Sequence, residues 1–245
     1  MENANPALRK GFEEVKGYKS ENTMTLGGTV IKTILLLIVV LCSTLVSYLK
    51  LEQIGFFNSS YLIVAAIGTI ILGFVTSFLP KIAPITSVFY AAFEGVLLAN
   101  LSFFINQYYQ GIAMNAIIVT IIISFSMILV YMFNPSIGHR IRKAVIGMTL
   151  AIGLLYIFTF LLGLFNINIP YIYGNGIIGI GFSIFILIVA SLNLIVDLDF
   201  ISEEIQYGAP KYMEWYSAFG IMITLIWIYI RVLDLLTKLV SRDNN

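Results

Sequence analysis

Apolar residues in this chain do not alternate with polar ones; they come in long blocks. After 28 mostly polar residues, seven apolar runs follow, near 29–49, 60–79, 84–105, 112–133, 145–165, 176–197 and 217–236. Each is about as long as a helix needs to cross a bilayer core, ~20 residues. A backbone in hydrocarbon must satisfy its own polar groups. Runs this apolar, without the alternating faces of a barrel strand, are therefore helices. The pattern predicts an all-α integral membrane protein. It has a polar tail over 1–28, a seven-helix domain over 29–240 and a short tail over 241–245. A secretory leader has a shorter apolar core and a small-residue cleavage site, so the first run is read as a retained helix.

The punctuation between runs supports this reading. Pro80 and Pro84, in FLPKIAP, stop one helix and start the next, which makes runs two and three a tight hairpin. Aromatics gather at the ends of runs: Tyr48, Phe56, Phe57 and Tyr61, then Tyr108 and Tyr109, Tyr171 and Tyr173, Trp215 and Tyr216. Amphipathic rings favour the membrane interface. Small residues at close-packing spacing, such as Gly147 with Ala151 and Gly179 with Ser183, suit close helix approach.

Loop cations give an orientation. With the amino terminus in the cytoplasm, the inner segments hold nine: Arg9, Lys10, Lys16, Lys19, Lys81, Arg140, Arg142, Lys143 and Lys211. The outer segments hold three, Lys50, Lys238 and Arg242. The positive-inside rule then puts the carboxy terminus outside after seven crossings. His139 falls in the basic loop between runs four and five and is read as solvated.

Composition agrees. The 245 residues are 59% hydrophobic and 11% charged, where a soluble domain is about one-quarter charged. Net charge is +1, so there is no electrostatic case for nucleic acid; the bilayer is the expected partner. One cysteine, Cys42, lies inside the first run, which excludes an intrachain disulfide and any CxxC metal pattern.

Chemistry must therefore come from the few charges inside the spans, each of which costs at least ~2.5 kcal/mol there. Lys32 lies near the start of run one and is expected to snorkel to the headgroups. Glu94 lies halfway along run three, in YAAFEGVLLAN. Arg231 and Asp234, three apart on run seven, share a face and are expected to neutralise each other. Glu94 then either joins them in a buried Glu94–Arg231–Asp234 cluster or is protonated by burial. Such a cluster is either a structural ion pair or part of a proton or cation path.

The other acids sit where run six meets the turn before run seven. Asp197 and Asp199 are two apart, so at ~100° per residue they face nearly opposite sides. Asn193, four before Asp197, suggests that Asp197 points inward as a cation or proton gate. Glu203 and Glu204 read as a solvated acidic loop. Asp197 is the one residue with a metal role in view. A calcium ion there would need further oxygens from other helices, since calcium takes six to eight ligands. No GxSxG, HExxH or Walker sequence occurs, and the partial GxGxxG at Gly174, Gly176 and Gly179 opens a membrane helix. No catalytic residue, resident cofactor or enzyme activity is expected.

The beginning ENANPALRKGF, the PKIAP hairpin, the Glu94–Gly95 pair and the terminal DLDFISEEIQYGAPKYMEWYSAFGIMITLIWIYIRVLDLL resemble the Bax inhibitor-1/YccA-like membrane proteins, closest to the bacterial branch with a GAPKxMEWY motif. The resemblance covers essentially the whole chain. It implies six helices around a central seventh, in a bacterial cytoplasmic membrane, and a pH-sensitive calcium leak. It also implies an aspartate on helix six and one on helix seven that share a proton and, with a helix-two arginine, gate the pore. Asp197 matches the helix-six position. The helix-seven position falls among Phe219 to Ile223, and run two has no arginine. The branch also has a glutamate and then an arginine in helix seven, where this chain has Arg231 and then Asp234. Two functions stay open: a calcium or proton leak using Asp197, Asp199 and Glu94, or a non-conducting regulator that binds a membrane-bound protease or other membrane proteins.

Overall fold

A computed structural model describes residues 23–54, 59–165 and 174–243. Over these the chain is helical: α1 (Leu26–Ile54), α2 (Ser59–Phe78), α3 (Ala83–Tyr108), α4 (Ile112–Phe133), α5 (Ser136–Leu164), α6 (Ile177–Gln206) and α7 (Met213–Asp243), with a 3-10 turn at Pro80–Ile82. All seven α-helices are long and apolar enough to cross a membrane. The expected tail over 1–28 lies outside the described residues up to residue 22, as do Phe56, Phe57, Tyr171 and Tyr173.

The helices overrun the apolar runs. α5 begins at Ser136, so His139, Arg140, Arg142 and Lys143 occupy its first turns and not a loop. α6 continues to Gln206, so Asp199, Glu203 and Glu204 are helical, and Glu204 is buried where a solvated loop was expected. α7 takes in Lys238, which belongs to no outer loop. The reason is length: 31 residues at ~1.5 Å each exceed a ~30 Å hydrocarbon core, so hydropathy marks only the middle of a longer helix.

Two turns fix the connections. Pro80 and Pro84 open the 3-10 turn and α3, as expected of the tight hairpin. After α6, Gly208 at φ +75° lets Ala209 N–H reach back to Glu204 O (3.2 Å) and Gly208 N–H to Ile205 O (3.0 Å). This pair of bonds is the Schellman closure of a helix, which favours glycine at its left-handed position.

The chain forms two compact units. The amino-terminal unit holds α1, α2 and α3 with residues 200–223. Small residues close its helix contacts, as membrane packing requires. A Cβ at Gly95 would lie 2.6 Å from Val40 O, and one at Gly68 would lie 2.9 Å from the Phe93 ring. Ser43 donates to Ala92 O at 2.6 Å, and Thr76 to Thr86 Oγ1 at 2.8 Å. The carboxy-terminal unit holds α4, α5, α6 to Asp199 and α7 from Thr224. Here Ile152, Ile186 and Val189 form a core against Met148, Tyr156, Phe182 and Trp227. The expected close approach at Gly147 is not found: nothing lies within 4 Å of a Cβ there. Cys42 is exposed on α1.

Candidate functional site

Asp197 is fully buried on α6. The Oγ1 hydroxyl of Thr224, on α7, donates to its Oδ2 at 2.5 Å. Leu194, Ile195 and Val196 beside it are equally enclosed, so the carboxylate sits in dry surroundings. Asn193, one turn earlier, donates to Thr149 Oγ1 of α5 at 2.8 Å and to Val189 O at 2.9 Å. Thr224 went unread in the sequence. Its signal is that it supplies the sole aliphatic hydroxyl between Ser217 and Thr237 in an apolar run.

Asp199 turns the other way, as the helical angle requires. It pairs with Arg142 of α5, and both side chains are largely enclosed. Gly138 makes room for it: a Cβ there would strike the Asp199 side chain. The two aspartates thus have different partners, a neutral hydroxyl for one and a guanidinium for the other.

Glu94 is buried in the amino-terminal unit, one turn after the buried Tyr90 on α3. The Tyr90 ring packs edge-on against Phe219 of α7 at 5.0 Å between centroids. The α7 stretch where the family resemblance places an acid, Phe219 to Ile223, therefore begins with an aromatic contact to Tyr90.

Arg231 and Asp234 do not neutralise each other. Arg231 Nη1 donates to the Tyr156 hydroxyl at 2.7 Å. Asp234 accepts from Ser183 at 2.7 Å and pairs with Lys238 at 3.2 Å. Within the carboxy-terminal unit, the two expected cluster members Arg231 and Asp234 thus have separate partners. Among the described residues no three His, Cys, Asp or Glu side chains gather to hold a metal ion.

Glu214 reads in the sequence only as one more negative charge at the cytoplasmic mouth, and its pairing with Lys32 is not foreseen there. Glu214, at the start of α7, is fully buried. It accepts from Thr25 N and Thr25 Oγ1, both at 2.9 Å, pairs with Lys211 at 2.8 Å, and binds Lys32 Nζ. Lys32 thus reaches back toward the start of α1 and also lies over the Trp215 ring, 5.7 Å from its centroid. Gly28 is required here, since a Cβ would fall on the Glu214 carboxylate. Just before α1, Met24 N–H donates to Ala209 O at 2.7 Å, and Thr23 bridges Pro210. The start of α1 is thus stitched to the α6–α7 loop.

Compared with known proteins, residues 5–241 match the family described as Bax inhibitor 1 like. Searches of curated proteins and of solved structures give no significant match.

Proposed function

Because the chain belongs to the Bax inhibitor 1 like family, we propose that it is a pH-sensitive leak for calcium or protons, with Asp197 as its titrating group. One observation carries the reading: a fully enclosed carboxylate on α6 is tied to α7 by the Thr224 hydroxyl. As the anion, Asp197 accepts that hydrogen. Once protonated, its carboxyl becomes a donor and the charge is gone, so one proton remakes the α6–α7 contact. Calcium would pass as cargo, drawing on neutral oxygens as well, since it takes six to eight ligands. Glu94, a buried carboxylate within α3, is the second titrating group. Asp199, paired with Arg142, is assigned a structural role in this reading. The membrane is a bacterial cytoplasmic one, with the amino terminus inside. No catalytic residue is assigned.

The test is calcium and proton flux in proteoliposomes at two pH values. Asp197→Asn should bring the two rates together, and Glu94→Gln should reduce their ratio less. A pH response unchanged in Asp197→Asn removes Asp197 from the mechanism.

A second reading, the non-conducting regulator of a membrane-bound protease or other membrane proteins, is favoured by the stitching of Thr23 and Met24 to Ala209 and Pro210. That stitching ties Thr23 and Met24, near the end of the tail, to the α6–α7 loop. Deleting residues 2–20 should then abolish co-purification of the partner while leaving the folded domain intact. Undiminished co-purification would refute it.

A further inference from the structure

We propose that Arg231 is the centre of a phosphate-binding site on the carboxy-terminal unit, taking the phosphate of an anionic lipid headgroup or a free phosphate. The proposal goes beyond the leak reading and does not depend on it.

A guanidinium stays charged at any working pH. Inside a span that charge needs a partner. Among the described residues Arg231 has the Tyr156 hydroxyl, at 2.7 Å, and the Tyr156 ring, 5.2 Å from Cζ. Both are neutral. Its Nε is buried and meets no acceptor. The acid on the same helical face, three residues on, is Asp234, and it is occupied: Lys238 lies 3.2 Å from it and Ser183 donates to it at 2.7 Å. Lys238 in turn donates to Ser183 at 2.8 Å. This face of α7 therefore carries a cation, an anion and a cation in sequence, and one positive charge is left over.

The residual charge belongs to the group best shaped for phosphate. The planar guanidinium fork presents parallel N–H groups that match two phosphate oxygens. The site is also reachable, since Arg231 is half-buried and the Asp234 side chain is 35% exposed. Beside Tyr156, Leu154 and Ile157 of α5 are exposed apolar side chains, a surface suited to acyl chains.

The test uses the full chain in nanodiscs of mixed phosphatidylglycerol and phosphatidylcholine, with retained phosphatidylglycerol measured by native mass spectrometry. A second arm measures the thermal midpoint of delipidated protein with and without inorganic phosphate. Arg231→Gln should weaken binding about tenfold or more, the loss of a charge-assisted hydrogen bond. Arg231→Lys should recover part of it. Asp234→Asn should tighten binding, because it removes a negative charge from the face that a phosphate would approach and leaves Lys238 unneutralised beside it; a site unrelated to this face would show no such gain. Retained phosphatidylglycerol identifies a lipid, and stabilisation by inorganic phosphate alone identifies a free anion; each supports the site. If neither probe distinguishes wild type from Arg231→Gln, the proposal falls. Should that variant not fold, absence of tightening in Asp234→Asn overturns it equally.

Discussion

Glu214→Gln is expected to destabilise the protein by about 3 kcal/mol or more, the usual cost of breaking a buried ion pair from one side. The carboxylate has no exposure, while Lys32 keeps 17% of its side chain exposed and Lys211 keeps 50%. Lys211 can return to water, so its share is small. Lys32 cannot do so as easily: it lies within α1, over the Trp215 ring. The amide oxygen of glutamine could still take one hydrogen from Thr25, but no neutral group balances the stranded ammonium. Lys32→Gln should cost less, since Glu214 would keep Lys211 and both Thr25 donors. Gly28→Ala should approach the Glu214→Gln effect by sterics alone. Reversible unfolding in detergent micelles measures all three. A Glu214→Gln protein within about 1 kcal/mol of wild type would show that Lys32 finds water readily and that the pair adds little.

This centre was hidden from the sequence for a physical reason. Lys32 and Glu214 are 182 positions apart, and a lone lysine near a helix end has snorkelling as its default explanation. The helices themselves were legible because an unbroken apolar run in a bilayer has one backbone solution. Their ends were not, since α5 to α7 continue as charged helix beyond the hydrocarbon. Small-residue spacing misled at Gly147 and passed over Gly68 and Gly95, because spacing does not say which helix face meets a neighbour. The split of Asp197 from Asp199 was readable from the helical angle alone. The partner of Asp234 was readable too: Lys238 lies four residues on, and acid before base at that spacing is the better order.

That split leads to opposite expectations for the two aspartates. Asp199→Ala should destabilise by about 3–5 kcal/mol, whereas Asp197→Asn should cost about 1 kcal/mol or less. Removing the Asp199 carboxylate takes a salt-bridge acid from Arg142, of which 7% is exposed, beside the space that Gly138 leaves open. An arginine cannot shed its charge, so the whole cost falls on the fold. At Asp197 the Thr224 hydroxyl that donates is neutral, and an Asn carbonyl can accept the same hydrogen. Only the charge disappears there, and with it the capacity to titrate. Unfolding in micelles and flux in proteoliposomes, run on both variants, separate the roles. Exchanging the charges, Asp199→Arg with Arg142→Asp, should recover part of the lost stability and leave the pH response in place. If Asp199→Ala instead keeps its stability and shifts the pH response, the titrating group is Asp199, and the hydroxyl contact at Asp197 is packing alone.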